Sequence, residues 1–169
     1  MLFRSAVYFD HSFEKLSKII EKAAEVGVER VVLDDGWFGA RRSDKAGLGD
    51  WVVSKEVWPQ GLKPLADLVI SKGMRFGLWF EGEMLQADSD VYRAHPEWVL
   101  QEPGRIPVTG RGQQVLDLTK PAAYAHVLEQ TDAVLKSCQI SYIKWDHNRS
   151  LSDPISDRSE EHTSELQSR

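Results

Sequence analysis

Apolar residues along this chain recur now at strand-like and now at helical spacing, and the two kinds of segment alternate. Ala6 to Phe9 form a short apolar run ending at Asp10, which predicts a strand. Phe13, Leu16, Ile19, Ile20, Ala23 and Ala24 then fall three and four apart, the spacing of one helix face. Ser12 is placed to cap that helix, Glu14 suits its positive start, and Gly27 its end. Val31-Val32-Leu33 predicts a buried strand that stops at Asp34-Asp35-Gly36-Trp37. From Phe38 to Gly61 the chain is rich in glycine and charge, and a loop of that length is uncommon unless it is functional. Pro64 opens a second helix that Gly73 closes, and Met74 to Phe80 predicts the next strand, ending at Glu81-Gly82-Glu83. A short helix over Asp88 to Ala94 and a brief strand over Val115 to Leu118 follow. Tyr124, Val127, Leu128, Thr131, Val134, Leu135 and Cys138 form a last helix stripe, before a strand from Ile140 to Trp145 that ends at Asp146.

Strands and helices in series imply right-handed crossovers and a parallel sheet. Acidic and aromatic residues gather where the strands end. In a (β/α)8 barrel and in a doubly wound sheet alike, that end carries the ligand. No Gly-x-Gly-x-x-Gly turn follows any strand, so dinucleotide binding is unsupported. The expectation is an α/β fold: the N-terminal half of a (β/α)8 TIM barrel, truncated, with at most four strand–helix units over residues 1–153.

Composition narrows the function classes. The 169 residues hold 21 basic and 26 acidic side chains, a formal net charge of −5, with no basic block beyond Arg41-Arg42. That argues against nucleic acid as a partner. A hydrophobic share of 41% is enough for a packed core. No apolar run is long enough to cross a membrane, and the start has no signal-peptide pattern, so a cytoplasmic location is expected. The single cysteine, Cys138, supplies neither an internal disulfide nor a Cys-rich zinc site, and no metal or cofactor is expected. The six tryptophans stand out. Core packing accounts for any one of them, but Trp37, Trp79 and Trp145 sit beside carboxylates at strand ends. A flat apolar face next to hydrogen-bonding carboxylates suits a sugar ring.

Three places carry candidate chemistry. Lys144 and Asp146 alternate onto one strand face, with Asn148 just beyond. An ammonium beside Asp146 favours its ionised form, and an ionised carboxylate is a competent nucleophile. On spacing alone, a structural ion pair at a strand end stands beside that reading. Asp34 and Asp35 would repel each other if both were buried, and so need hydroxyl or cationic partners. Read alone, they are an ordinary Asp–Gly turn or helix cap. Trp79 in Gly-Leu-Trp-Phe-Glu and Arg111 in Gly-Arg-Gly-Gln form the third place, with packing and a solvated charge as their plainer readings.

After Asp153-Pro154 the pattern stops. Arg158 to Ser168 resembles the in-frame translation of a sequencing-adapter oligonucleotide, with a natural polar tail as the alternative. Residues 154–169 are accordingly expected to be a non-native tail.

Asp34-Asp35-Gly36-Trp37-Phe38-Gly39, Leu48-Gly49-Asp50-Trp51, Phe76-Gly77-Leu78-Trp79-Phe80-Glu81, His95-Pro96-Glu97-Trp98 and Lys144-Trp145-Asp146 with Asn148-Arg149 resemble, in order and spacing, the α-galactosidases of glycoside hydrolase family 36. The resemblance runs from Val7 to Ser150. It implies a (β/α)8 barrel and a retaining mechanism on a small-molecule α-galactoside of raffinose or melibiose type, in a parent protein expected to form a homo-oligomer. Asp146 matches the family's catalytic nucleophile. Asp34, Asp35, Trp79, Arg111, Lys144 and Asn148 match its substrate-binding residues. Gly82 stands where the family usually has proline. The family's acid/base carboxylate on a later strand, its N-terminal β-sandwich and its small C-terminal sheet domain have no counterpart in these residues. The chain by itself is therefore expected to be inactive and unstable, at best a galactose binder. Turnover by it would require another carboxylate, such as Glu81 or Glu83, as the acid. A galactosyl transferase of the same family is the alternative activity.

Overall fold

Ser12 does open the first helix. In the computed structural model, which describes residues 7–102, 104–151 and 155–156, helix α1 spans Phe13–Glu25 and the Ser12 side chain accepts the Lys15 N–H. That bond satisfies one of the first-turn donors that a helix leaves without an internal partner. Leu16, Ile20 and Ala23 form the buried stripe of α1. Strand β1 (Arg30–Leu33) leads through the long loop into α2 (Lys63–Ser71) and β2 (Arg75–Phe80). Then come a two-residue strand β3 (Met84–Leu85), a short helix α3 (Asp90–Ala94), a 3-10 turn at Pro96–Trp98 and β4 (Gln114–Val115). Helix α4 (Pro121–Ser137) and strand β5 (Tyr142–Trp145) follow.

The fold is α/β. β1, β2 and β5 form a three-stranded parallel sheet in the order β1-β2-β5, with α2 and α4 in the two crossovers. β1 and β2 are buried along nearly their whole length, as parallel strands covered on both faces must be. Val31, Leu33, Phe76 and Leu78 belong to one core with the α1 stripe and with Leu65, Ala66 and Val69 of α2. The 38–61 loop is packed rather than free. It buries Phe38, Leu48, Trp51 and Trp58 in the same core, and the Trp51 N–H donates to Gln130 Oε1 of α4 at 2.7 Å.

Two expected strands fail to join the sheet. Ala6 lies outside the described residues. Val7 is helical and Tyr8 and Phe9 form a turn, in which Tyr8 has φ 48° and Asp10 N–H donates to Val7 O at 2.9 Å. With that bond, the local turn satisfies the donor that a strand would have given to a neighbour. Val115 enters β4, which pairs antiparallel with β3. The chain leaving β2 doubles back at Met84–Leu85 and pairs with this segment, which lies outside the parallel sheet. Among the described residues the parallel sheet thus has three strands and two crossover helices, within the expected limit of four units. Of the expected tail over residues 154–169, residue 154 and residues 157–169 lie outside those described. Among the described residues, no helix is long and apolar enough to cross a membrane.

Candidate active site

Three strand ends build the site. Asp34, Glu81 and Asp146 are each the first residue past β1, β2 and β5, and the parallel register brings them out at the same, carboxyl end of the sheet. Asp146 N–H continues the ladder by donating to Phe80 O at 2.8 Å. Alternation along β5 puts Lys144 and Asp146 on one face. Lys144 Nζ lies 3.0 Å from Asp34 Oδ2 and 3.6 Å from Asp146 Oδ2. Trp79 Nε1–H donates to Asp146 Oδ2 at 3.0 Å and the His147 N–H to Oδ1 at 3.2 Å. Burial pushes the Asp146 carboxyl up. The Trp79 and Asn148 hydrogen bonds, the Lys144 charge and the His147 N–H outweigh it, so the group is held below the ordinary aspartate value.

The tandem carboxylates at β1 avoid mutual repulsion by each having its own cation. Asp34 accepts from Lys144 Nζ and, at 2.8 Å, from the Asp35 N–H. Asp35 takes a two-pronged bond from Arg41, Nε to Oδ1 at 2.9 Å and Nη2 to Oδ2 at 2.8 Å. Both side chains of that pair are only 2% exposed. Arg41 also donates to Gln86 Oε1 at 2.7 Å and Ala46 O at 3.1 Å, so the loop is braced on the carboxylate it covers.

Beside this charged chain lies a cleft of about 470 Å³, within the size range of small-molecule sites. Asp35, Trp79, Arg111 and Asn148 line it. Arg41, Glu81 and Gln113 also line it. Arg111 (φ 56°) and Gly112 (φ 71°) are the central residues of a tight turn that Gly110 and Gln113 close with reciprocal backbone bonds of 3.0 and 2.9 Å. Two left-handed residues in succession are the mark of a type I′ hairpin turn, and it aims Arg111 at the cleft. Arg111 Nη1 reaches Asn148 O at 3.4 Å. A more apolar cavity between the 38–61 loop and α4, lined by Trp51, Trp58 and Val134 among others, contains none of the strand-end carboxylates.

All seven residues singled out from the sequence thus fall in one connected cluster. Asp35, Trp79, Arg111 and Asn148 face the cleft, and Asp34, Lys144 and Asp146 adjoin it through Trp79 and Asn148. The tryptophan pattern needs correction. Trp37 is 0% exposed and its Nε1–H donates to Trp79 O at 2.9 Å, so it is core. Trp145 lies on the opposite face of β5, 47% exposed, with Nε1–H on both Glu83 oxygens at 3.0 and 2.8 Å. Of the three strand-end tryptophans, Trp79 alone lines the cleft. Arg41, Glu81 and Gln113 were not singled out as site residues. Glu81 shared the strand-end carboxylate signal. Arg41 and Gln113 are brought in by loop folding that no local pattern announces.

The melibiase family matches residues 3–169. Alpha-galactosidase Mel36A of Lactobacillus acidophilus is 48% identical over 148 residues, which are 88% of this chain and 20% of that protein. Alpha-galactosidase AgaA of Geobacillus stearothermophilus is 46% identical over 148 residues, with the same two shares of 88% and 20%. The crystal structure of the family 36 alpha-galactosidase AgaB of Geobacillus stearothermophilus superposes with a TM-score of 0.89 at 44% identity, covering 92% of this chain and 22% of that one. An AgaA variant solved in complex with raffinose superposes at 0.87 and 44% identity, covering 92% and 22%. The chain therefore spans about a fifth of the length of the curated relatives it matches. By the extent of the family match and the identity to these relatives, the chain belongs to the melibiase family, glycoside hydrolase family 36.

Proposed function

We propose that this chain is the first half of the catalytic (β/α)8 barrel, over residues 1–153, of a retaining α-galactosidase acting on raffinose-type oligosaccharides, with Asp146 as nucleophile. The observation that carries the reading is the placement of Lys144 between Asp34 and Asp146, with the Trp79 indole N–H on the latter. Such a carboxylate stays ionised, oriented and partly open, which is what attack on an anomeric carbon requires. Asp146 Oδ forms a bond to C1 while the glycosidic C–O bond breaks, and a proton from a second carboxyl group goes to the leaving oxygen. Water then attacks C1 of the galactosyl-enzyme, giving its proton to the same second group and freeing Asp146. Asp34 and Asp35 retain lone pairs for sugar hydroxyls, Trp79 offers an aromatic wall, and Arg111 and Asn148 complete the polar rim.

The second carboxyl must lie roughly 5–5.5 Å from the nucleophile in a retaining enzyme. Glu81 is a poor candidate, because both of its oxygens already accept hydrogen bonds, from the Asn148 N–H and the Gln113 amide. We assign the acid to a part of the parent enzyme outside these residues, which makes the isolated chain at best a weak galactose binder without turnover. In the full-length enzyme, a fluorinated galactoside that deglycosylates slowly should leave one galactosyl mass on the peptide containing Asp146. A label on any other residue would overturn the assignment.

A further inference from the structure

We propose that Glu81 is a positioning residue, whose carboxylate fixes the segment after β5 and the Gly110–Gln113 turn against the end of β2. The inference rests on the functional reading above and deepens it. Glu81 is 0% exposed. Its Oε1 accepts the Asn148 backbone N–H at 2.6 Å and its Oε2 the Gln113 side-chain amide at 3.2 Å. One carboxylate thus ties together three separate pieces of chain. Two of them carry the proposed sugar contacts Asn148 and Arg111, and Asn148 is two residues past Asp146. Arg149 makes a parallel tie from the same segment, donating to Gln113 O at 2.8 Å and Val108 O at 2.9 Å. The turn that presents Arg111 is therefore held at both ends of Gln113, by its backbone and by its side chain.

An ionised carboxylate serves both donors as they stand, the Asn148 backbone N–H on one oxygen and the Gln113 NH2 on the other. An acid function is hard to build on such a group, and a hub function is natural. Burial, and in smaller measure the Asp146 charge, push the Glu81 carboxyl up. Hydrogen bonds from the Asn148 backbone and side chain and from the Gln113 side chain oppose that push. The charged groups sharing the cleft with it are Asp35, Arg41, Asp44, Lys45 and Arg111.

The test uses the full-length enzyme, with kcat and KM referred to titrated active sites. E81L removes both acceptors at once, and should lower kcat/KM for raffinose about ten- to a hundredfold. The swapped double variant E81Q/Q113E should avoid most of that loss. The amide introduced after β2 then accepts the Asn148 N–H with its oxygen and donates its NH2 to the carboxylate introduced in the turn. Q113L, which cuts only the tie to the turn, should lose less than E81L and serves if E81L does not fold. Wild-type kcat/KM in E81L, or in Q113L where E81L is unfolded, overturns the inference. A loss that the swap does not recover, and that a nitrophenyl galactoside escapes, also overturns it and makes Glu81 an acid. A wild-type enzyme that cleaves no α-galactoside overturns the functional reading and this inference together. An active wild type with unaffected variants overturns this one alone.

Discussion

The two flanks of the sheet hold the same chemical group in opposite conditions. At the end of β1, Asp34 and Asp35 are buried, each matched to a cation, and sealed by a loop that itself belongs to the core. At the end of β5, Asp146 is partly exposed, on a strand whose Tyr142, Ile143 and Trp145 all remain in solvent. A group that recognises hydroxyls gains from being rigid before the sugar arrives, since little ordering is left for binding to supply. A group that attacks must keep a lone pair free. β1 and β5 are both edge strands, but the carboxylates after β1 find their cations within this chain, whereas β5 has the bare face of a parallel strand that a neighbour would normally cover.

The comparison would break most sharply at Asp146. D146N in the full-length enzyme should abolish turnover while sparing galactose binding, because an amide has the carboxylate's shape but cannot attack. Steady-state kinetics and calorimetry with galactose check both halves. A variant that kept more than a few per cent of wild-type kcat would remove Asp146 from its role and leave the two flanks chemically alike.

Stability should respond on the other flank. R41M removes the two-pronged bond to Asp35 in a site where the pair is 2% exposed. Losing one member of a buried ion pair costs about 3–5 kcal/mol. Chemical denaturation of the full-length enzyme should show a loss of that size for R41M. K144M should show a smaller one, since Lys144 is partly exposed and solvent screens part of its pairing with the buried Asp34, while its loss also reaches Asp146 and catalysis. Equal losses would mean that the β1 flank is no more pre-built than the β5 flank.

Much of this contrast was written in local sequence, and the rest was not. Strands β1, β2 and β5, helices α1, α2 and α4, and the strand-end positions of Asp34, Trp79 and Asp146 follow from periodicities of two and 3.6, which any short window shows. The pairing of Asp35 with Arg41 depends on how the 38–61 loop folds back, so sequence could say only that the tandem carboxylates needed partners. Trp37 and Trp79 carry the same local signature. They differ because Trp37, four residues beyond its strand, turns down under the β2 backbone, while Trp79 is still inside β2. Val115 reads as a strand and is one, but its partner was settled by the turn-back at Met84, a tertiary event.

The finest test concerns Gly82, which lies between two carboxylates of different use, Glu81 and Glu83. A Cβ built there would stand 2.5 Å from Trp145 Cζ2 and 2.6 Å from Cη2. The glycine therefore lets the indole lie against the backbone, where it stacks on Phe80 at 6.1 Å between ring centroids and donates to Glu83. G82A should push the ring outward. The displaced atoms are the far end of an exposed side chain, so the backbone need not move. The expected loss is that of the Glu83 hydrogen bond and part of the stacking, about 0.5–1.5 kcal/mol. In a W145L background, whose shorter side chain does not reach position 82, the same G82A change should cost almost nothing. That non-additivity, read from denaturation midpoints of the four proteins, is the evidence for contact. Additive effects would mean that Trp145 does not rest on Gly82, and that the exposed face of β5 is less ordered than the flank holding Asp34 and Asp35.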